Sequence, residues 1–162
     1  MDITFNQMLA YFPEVELPVT LTEDSIDLLK EHLIPMPNAF VESYLKTWEG
    51  GEIDEFTEFT PLMQIDKNDQ YLALIYWKAS LLRYEYILVT TSPKGDLIAM
   101  RSIAGLISDG EIMMHSVARI DTEMNIHIMT SAQYQGRSYS SENAQSFLIE
   151  IAPNGELIFS SE

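Results

Sequence analysis

Thiol chemistry is closed to this chain, because its 162 residues include no cysteine to serve as nucleophile, disulfide partner or metal ligand. Imidazole chemistry rests on three histidines, His32, His115 and His127. A general-base or zinc role needs at least two of them to converge with a carboxylate. His32 stands alone near a predicted helix end. His115 and His127 fall on neighbouring predicted strands and share with Arg119 the parity that points side chains to one sheet face. An antiparallel pairing can set His127 opposite Arg119. His115, Arg119 and His127 are therefore the one polar constellation with a geometry to name. Their spacing fits no metal motif. The expectation is a solvated sheet face, with no catalytic residue and no metal ligand.

Other chemistries find less. Ser138, Ser140 and Ser141 lie in the polar segment 135–143, without the G-x-S-x-G frame that lifts a serine out of a strand-to-helix turn. Gly50-Gly51, Gly105 and Gly110 form neither G-x-G-x-x-G nor a Gly-Lys-Ser/Thr loop, so no nucleotide and no other cofactor is implied. Glu49, Glu52, Asp54, Glu55 and Glu58 are acidic enough to attract calcium. They lack the alternating Asp/Asn ligands, central glycine and closing glutamate of a calcium loop, and read as a solvated linker.

Twenty-five acidic against nine basic residues leave a formal charge of −16. Such a field repels phosphate backbones and anionic lipid, which argues against nucleic acid, and it steers basic proteins inward. The longest apolar runs, such as Tyr71 to Trp77, fall far short of a membrane span. The first residues carry Asp2 and no basic region, unlike a signal peptide. A cytoplasmic location is expected, with the cell envelope as the alternative if a signal segment is removed.

The elements that would position any site follow from periodicity. Phe5, Met8, Leu9 and Phe12 repeat at helical spacing up to Pro13. Thr22 is a plausible N-cap for a helix to Leu33, with Ile26 and Leu29 on its apolar stripe. A third helix from Pro37 or Asn38 stacks Phe40, Tyr44 and Trp48 before Gly50-Gly51, a stripe that reads as core rather than as a pocket wall.

Beyond the linker the period changes to that of strands, expected at 61–66, 70–78, 84–91, 96–104, 111–120, 124–132, 145–151 and 156–160. Turn residues at Asp66 to Asp69, Ser92 to Gly95, Asp121 to Glu123 and Ala152 to Gly155 punctuate them. Residues 1–162 are read as one α+β domain: a helical front end over 1–51, packed on an up-and-down antiparallel meander of about eight strands over 61–160. Leu72, Leu74 and Tyr76 on one face, and Ala73, Ile75 and Trp77 on the other, require cover on both sides. The three helices on one face with the sheet's own curl or a partner chain on the other would supply it, and so would a barrel.

Two resemblances extend this reading. Leu17-Pro18-Val19-Thr20, Tyr71-Leu72-Ala73-Leu74-Ile75-Tyr76, Tyr86-Ile87-Leu88-Val89-Thr90 and Lys94-Gly95-Asp96-Leu97-Ile98 resemble a family of bacterial lipoprotein-like meander proteins of unknown function. The chain departs from its lipoprotein members in having no lipobox cysteine, which bears on an envelope location. Residues 22–65 are similar to the opening of the Smi/Knr-type immunity superfamily, through Met36-Pro37-Asn38-Ala39-Phe40-Val41, Gly50-Gly51-Glu52-Ile53 and Pro61-Leu62-Met63-Gln64-Ile65. That likeness implies a protein-binding role without catalysis.

The sequence thus points first to a non-enzymatic interaction module whose partner is a basic protein surface or a second copy of the chain. The alternative is a small apolar-ligand carrier, barrel-like, with Tyr76, Trp77, Tyr84 and Tyr86 lining its lumen beside Tyr71 and several methionines.

Overall fold

Strands predominate in the computed structural model, which describes residues 4–134 and 144–161. The elements are α1 (Phe5–Leu9), β1 (Val19–Leu21), α2 (Ser25–Leu29), α3 (Asn38–Phe40), α4 (Lys46–Glu49), β2 (Glu58–Lys67), β3 (Leu72–Ser80), β4 (Arg83–Thr91), β5 (Leu97–Ser108), β6 (Ile112–Ile120), β7 (Ile126–Tyr134), β8 (Gln145–Ile151) and β9 (Leu157–Ser161). The α+β expectation holds only coarsely, because the helices form a thin layer on a mainly β chain. The serine-bearing segment 135–143 lies outside the described residues.

All eight expected strands form, and they pair antiparallel in sequential order from β2 to β9. The ninth, β1, was not expected. Three residues are too short to show alternation, and β1 exists only through its distant partner β6, with Val19 opposite Ile120 and Leu21 opposite Ala118. The sheet curls but stays open, with β2 and β9 as its two ends. The β2 end is covered by earlier chain: Gln64 N–H donates to Pro13 O at 2.8 Å and Met36 N–H to Phe59 O at 2.9 Å. An edge position also explains how Pro61 is tolerated inside β2.

The helices are shorter than their periodicity suggested. α1 opens on a capping box between Thr4 and Gln7. Thr22 does not cap α2. Its Oγ1 accepts from Asp24 N–H at 3.3 Å, while its own N–H donates to Ser25 Oγ at 2.9 Å, so a side-chain turn precedes a helix that starts at Ser25. A 3₁₀ turn over Lys30–His32 continues it. α3 passes through a π-helical turn at Val41–Leu45 into α4, which Gly50 ends in the left-handed conformation with φ +84°.

Two apolar cores sit on opposite faces of β2–β4. One gathers Phe5 and Met8 of α1 and Phe40, Leu45 and Trp48 of the α3–α4 run over Leu74, Tyr76 and Val89. The other joins Ile75, Trp77, Tyr86 and Leu88 to Ala118, Ile120, Ile128 and Ile149 from the second half of the sheet. Ile26 of α2 belongs to this second core. The helices therefore do not share one face: α1 and α3–α4 cover one side, while α2 and the sheet's own curl cover the other.

Two features fix this arrangement. Glu49, at the end of α4, accepts from Tyr76 Oη at 2.6 Å and Lys78 Nζ at 2.8 Å, tying the helical layer to β3. Burial, reinforced by that carboxylate, holds the Tyr76 hydroxyl well above its ordinary pKa. Gly105, with φ +125°, lies where β5 leaves β4 for β6. A Cβ there would fall 2.0 Å from Tyr84 O, so only glycine admits this crossing.

Candidate functional site

The start of α2 is anchored onto the sheet by Tyr86, whose hydroxyl donates to Thr22 O at 2.6 Å. Burial pushes that hydroxyl up to about 12, and the negative charges of Asp27 and Asp24 act in the same direction. Anchored there, α2 forms one wall of an open groove of about 530 Å³ with Glu23, Asp24, Asp27 and Lys30, and the sheet supplies Trp77, Tyr84, Leu106, Met113 and His115. Glu58, at the start of β2, adds a fourth carboxylate. Lys30 Nζ sits 3.4 Å from Glu58 Oε1, with both side chains substantially exposed.

The groove floor is aromatic. Trp77 and Tyr84 stack with centroids 6.3 Å apart and planes 23° apart, and Tyr86 meets Trp77 edge-on at 5.0 Å. Trp77 is only 4% exposed, yet its indole N–H has no hydrogen-bond acceptor among the described residues. A buried indole N–H ordinarily finds one.

Apolar side chains flank the same end of the sheet. The β3–β4 hairpin turns on Leu81-Leu82, with Leu81 87% exposed and Leu82 47% exposed and left-handed at φ 62°. Two-residue hairpins ordinarily use Asn-Gly or similar pairs at this place.

The four aromatics expected to line one lumen are divided by the fold. Trp77, Tyr84 and Tyr86 lie on the groove side. Tyr76 faces the helices, edge-on to Phe59 at 5.8 Å and bonded to Glu49. Neighbours on a strand point to opposite faces, so Tyr76 and Trp77 cannot share a cavity wall.

The expected register of Arg119 opposite His127 is present. Carboxylates reach both histidines from outside their strands: Glu23 Oε2 is 2.7 Å from His115 Nδ1, and Asp121 Oδ2 is 3.0 Å from His127 Nε2. His115 thus belongs to the acidic groove. His127 and Arg119 line a separate cavity of about 200 Å³ with Thr20 and Met129. The hydrogen bond from His127, with backbone donors of the turn, lowers Asp121 from 3.8 to about 2.

The acidic linker is likewise dispersed. Asp54 caps its own turn through Phe56 N–H and Thr57 Oγ1, Glu49 holds Tyr76 and Lys78, and Glu58 holds Lys30. Among the described residues no group of three or more His, Asp or Glu is placed to hold a metal ion, and no helix is long and apolar enough to cross a membrane.

Glu23, Asp24, Asp27 and Glu58 went unrecognised as one site in the sequence, where Glu58 read as part of a solvated linker. Set beside known protein families, curated proteins and solved structures, the chain matches none of them.

Proposed function

We propose that the protein is a non-enzymatic interaction module that binds the basic surface of a partner protein. The observation that carries this reading is the groove between α2 and the sheet. It sets four carboxylates beside an aromatic floor and an exposed Leu81-Leu82 turn in a chain of net charge −16. Carboxylates steer and select a cationic partner, while apolar side chains beside them provide contact area that strengthens as water leaves. The left-handed Leu82 supports the same reading, because a turn built against local preference is a feature found where a surface has a use. The Smi/Knr-type resemblance of residues 22–65, with its implied protein-binding role, agrees with it.

The test is binding of immobilised poly-lysine at low and high salt. Wild type should bind in a salt-sensitive manner, and the triple variant Glu23→Gln, Asp24→Asn, Asp27→Asn should lose most of that binding. A control triple at Glu52, Asp54 and Glu55, none of which lines this groove, should not. Equal loss in both triples would reduce the attraction to bulk charge and sink the proposal.

A second reading, a carrier of a small apolar ligand, is favoured by a groove of about 420 Å³ on the second half of the sheet, walled by Ile107, Met114, Ile128, Phe147 and Phe159. Arg101 sits at this groove with its guanidinium 4.8 Å over the Phe159 ring. Saturable uptake of an apolar fluorescent dye, abolished by Phe147→Ala in a folded protein, would establish this reading; a dye that stays in water would remove it.

A further inference from the structure

We infer that the occupant of the acidic groove is an extended segment of a partner protein carrying an arginine, whose guanidinium takes the place of Lys30 on Glu58 while a neighbouring backbone carbonyl accepts the Trp77 indole N–H. This rests on the reading of the groove as a docking site for a basic partner, and it specifies the chemistry of the contact.

Three independent observations converge. The groove sets Glu23, Asp24, Asp27 and Glu58 against one lysine, an imbalance that a cation relieves and an anion aggravates. Lys30 already shows where a cation settles, 3.4 Å from Glu58 and 41% exposed, held by a single contact loose enough to exchange. The third is the buried indole N–H of Trp77, which requires an acceptor that the described residues do not provide.

Ammonium and guanidinium groups offer only donors, so the acceptor must come from another atom of the same ligand, and a peptide carbonyl is the one that accompanies every basic side chain. Tyr84, stacked on Trp77 and half exposed, gives a planar guanidinium a face to lie against, which favours arginine over lysine. Lys30 is then an internal competitor that holds the site in the free protein.

The experiment is a titration of the uniformly ¹⁵N-labelled protein with a short oligoarginine peptide at low salt. The chain has two tryptophans and so two indole resonances. Trp48 already donates its N–H to Gly95 O at 3.1 Å in the opposite core and serves as the internal control. The Trp77 resonance, identified by its loss in Trp77→Phe, should move downfield while that of Trp48 stays. Lys30→Gln should tighten binding by about threefold and Glu58→Gln should weaken it by a similar factor, the range of one partly exposed ion pair. An oligolysine peptide of equal length should bind more weakly.

Binding that leaves the Trp77 resonance and both variants unaffected overturns the inference but spares the broader reading, since the peptide would then sit elsewhere on the acidic surface. Weaker binding by Lys30→Gln also overturns it, because Lys30 would then assist rather than compete. No binding by the wild-type protein removes the inference and the broader reading together.

Discussion

The two halves of the sheet are built from equally apolar strands but end in different environments. In β2–β4 both faces are buried, one under α1 and the α3–α4 run and the other under α2 and the returning sheet. In β6–β9 only the inner face is covered. Met113, Val117 and Met129 remain exposed, as do Ile158 and Phe159 on the terminal strand. All helices precede β2 in the chain; α1 and the α3–α4 run lie over the first half of the sheet, and only β1 and the segment entering α2 reach β6. Local strand chemistry does not decide which half is a core; proximity of covering chain does. The candidate docking groove lies at the junction, where α2 crosses from the doubly covered half to the singly covered one.

The sharpest way to break the contrast is at the crossing itself. Gly105→Ala forces a Cβ against Tyr84 O in a backbone conformation that alanine rarely adopts. It should cost upward of about 3 kcal/mol, combining steric overlap with backbone strain. Urea denaturation should show a protein unfolded or barely folded, and near-wild-type stability would mean that the two halves do not depend on this crossing.

Next in size is a matched pair of truncations. Leu74→Ala, fully buried beneath the helices, should lose about 2–5 kcal/mol, whereas Met129→Ala on the outer face of the second half should stay within about 0.5 kcal/mol. Similar losses in the two would show that the second half is covered by something else in solution, such as a second copy of the chain.

A smaller effect is expected at the tie between layers. Glu49→Ala removes the acceptor for Tyr76 and Lys78 and should cost about 1.5–3 kcal/mol, as for hydrogen bonds to a charged group. Glu49→Gln, which can still accept one of the two, should recover part of it. Chemical denaturation followed by tryptophan fluorescence measures both.

The smallest effect belongs to Asp121 in the singly covered half. Its carboxyl is lowered from 3.8 to about 2 in the folded protein, so its contribution to stability is fully present above about pH 4 and is lost as the pH falls through about 2. Asp121→Asn should lower the melting temperature near neutral pH, and the gap to wild type should close as the pH is lowered from 4 towards 2. A gap independent of pH would place the effect in turn geometry instead of ionisation.

Much of the β architecture was legible because its signals are local. Turn residues at Ser92 to Gly95, Asp121 to Glu123 and Ala152 to Gly155 mark the hairpins, and alternation between them marks the strands. The pairing of Arg119 with His127 follows from a short turn between adjacent strands, which leaves little freedom of register. The helices were less legible. Thr22 carries the chemistry of an N-cap, but the same hydroxyl can close a side-chain turn, and the contact of Thr22 O with Tyr86 accompanies the second choice.

What the sequence determined by itself was the order of elements, the two-faced apolar strands of the first half, the acidity, and the absence of thiol chemistry. Tertiary structure alone decided that β1 exists, that α2 parts from the other helices, and that Glu23, Asp24, Asp27 and Glu58 meet around Trp77. The physical reason is range. Turns and alternation are set by neighbours in the chain, whereas the groove joins α2 to residues of β2, β3, β4, β5 and β6 that come together only when the sheet curls.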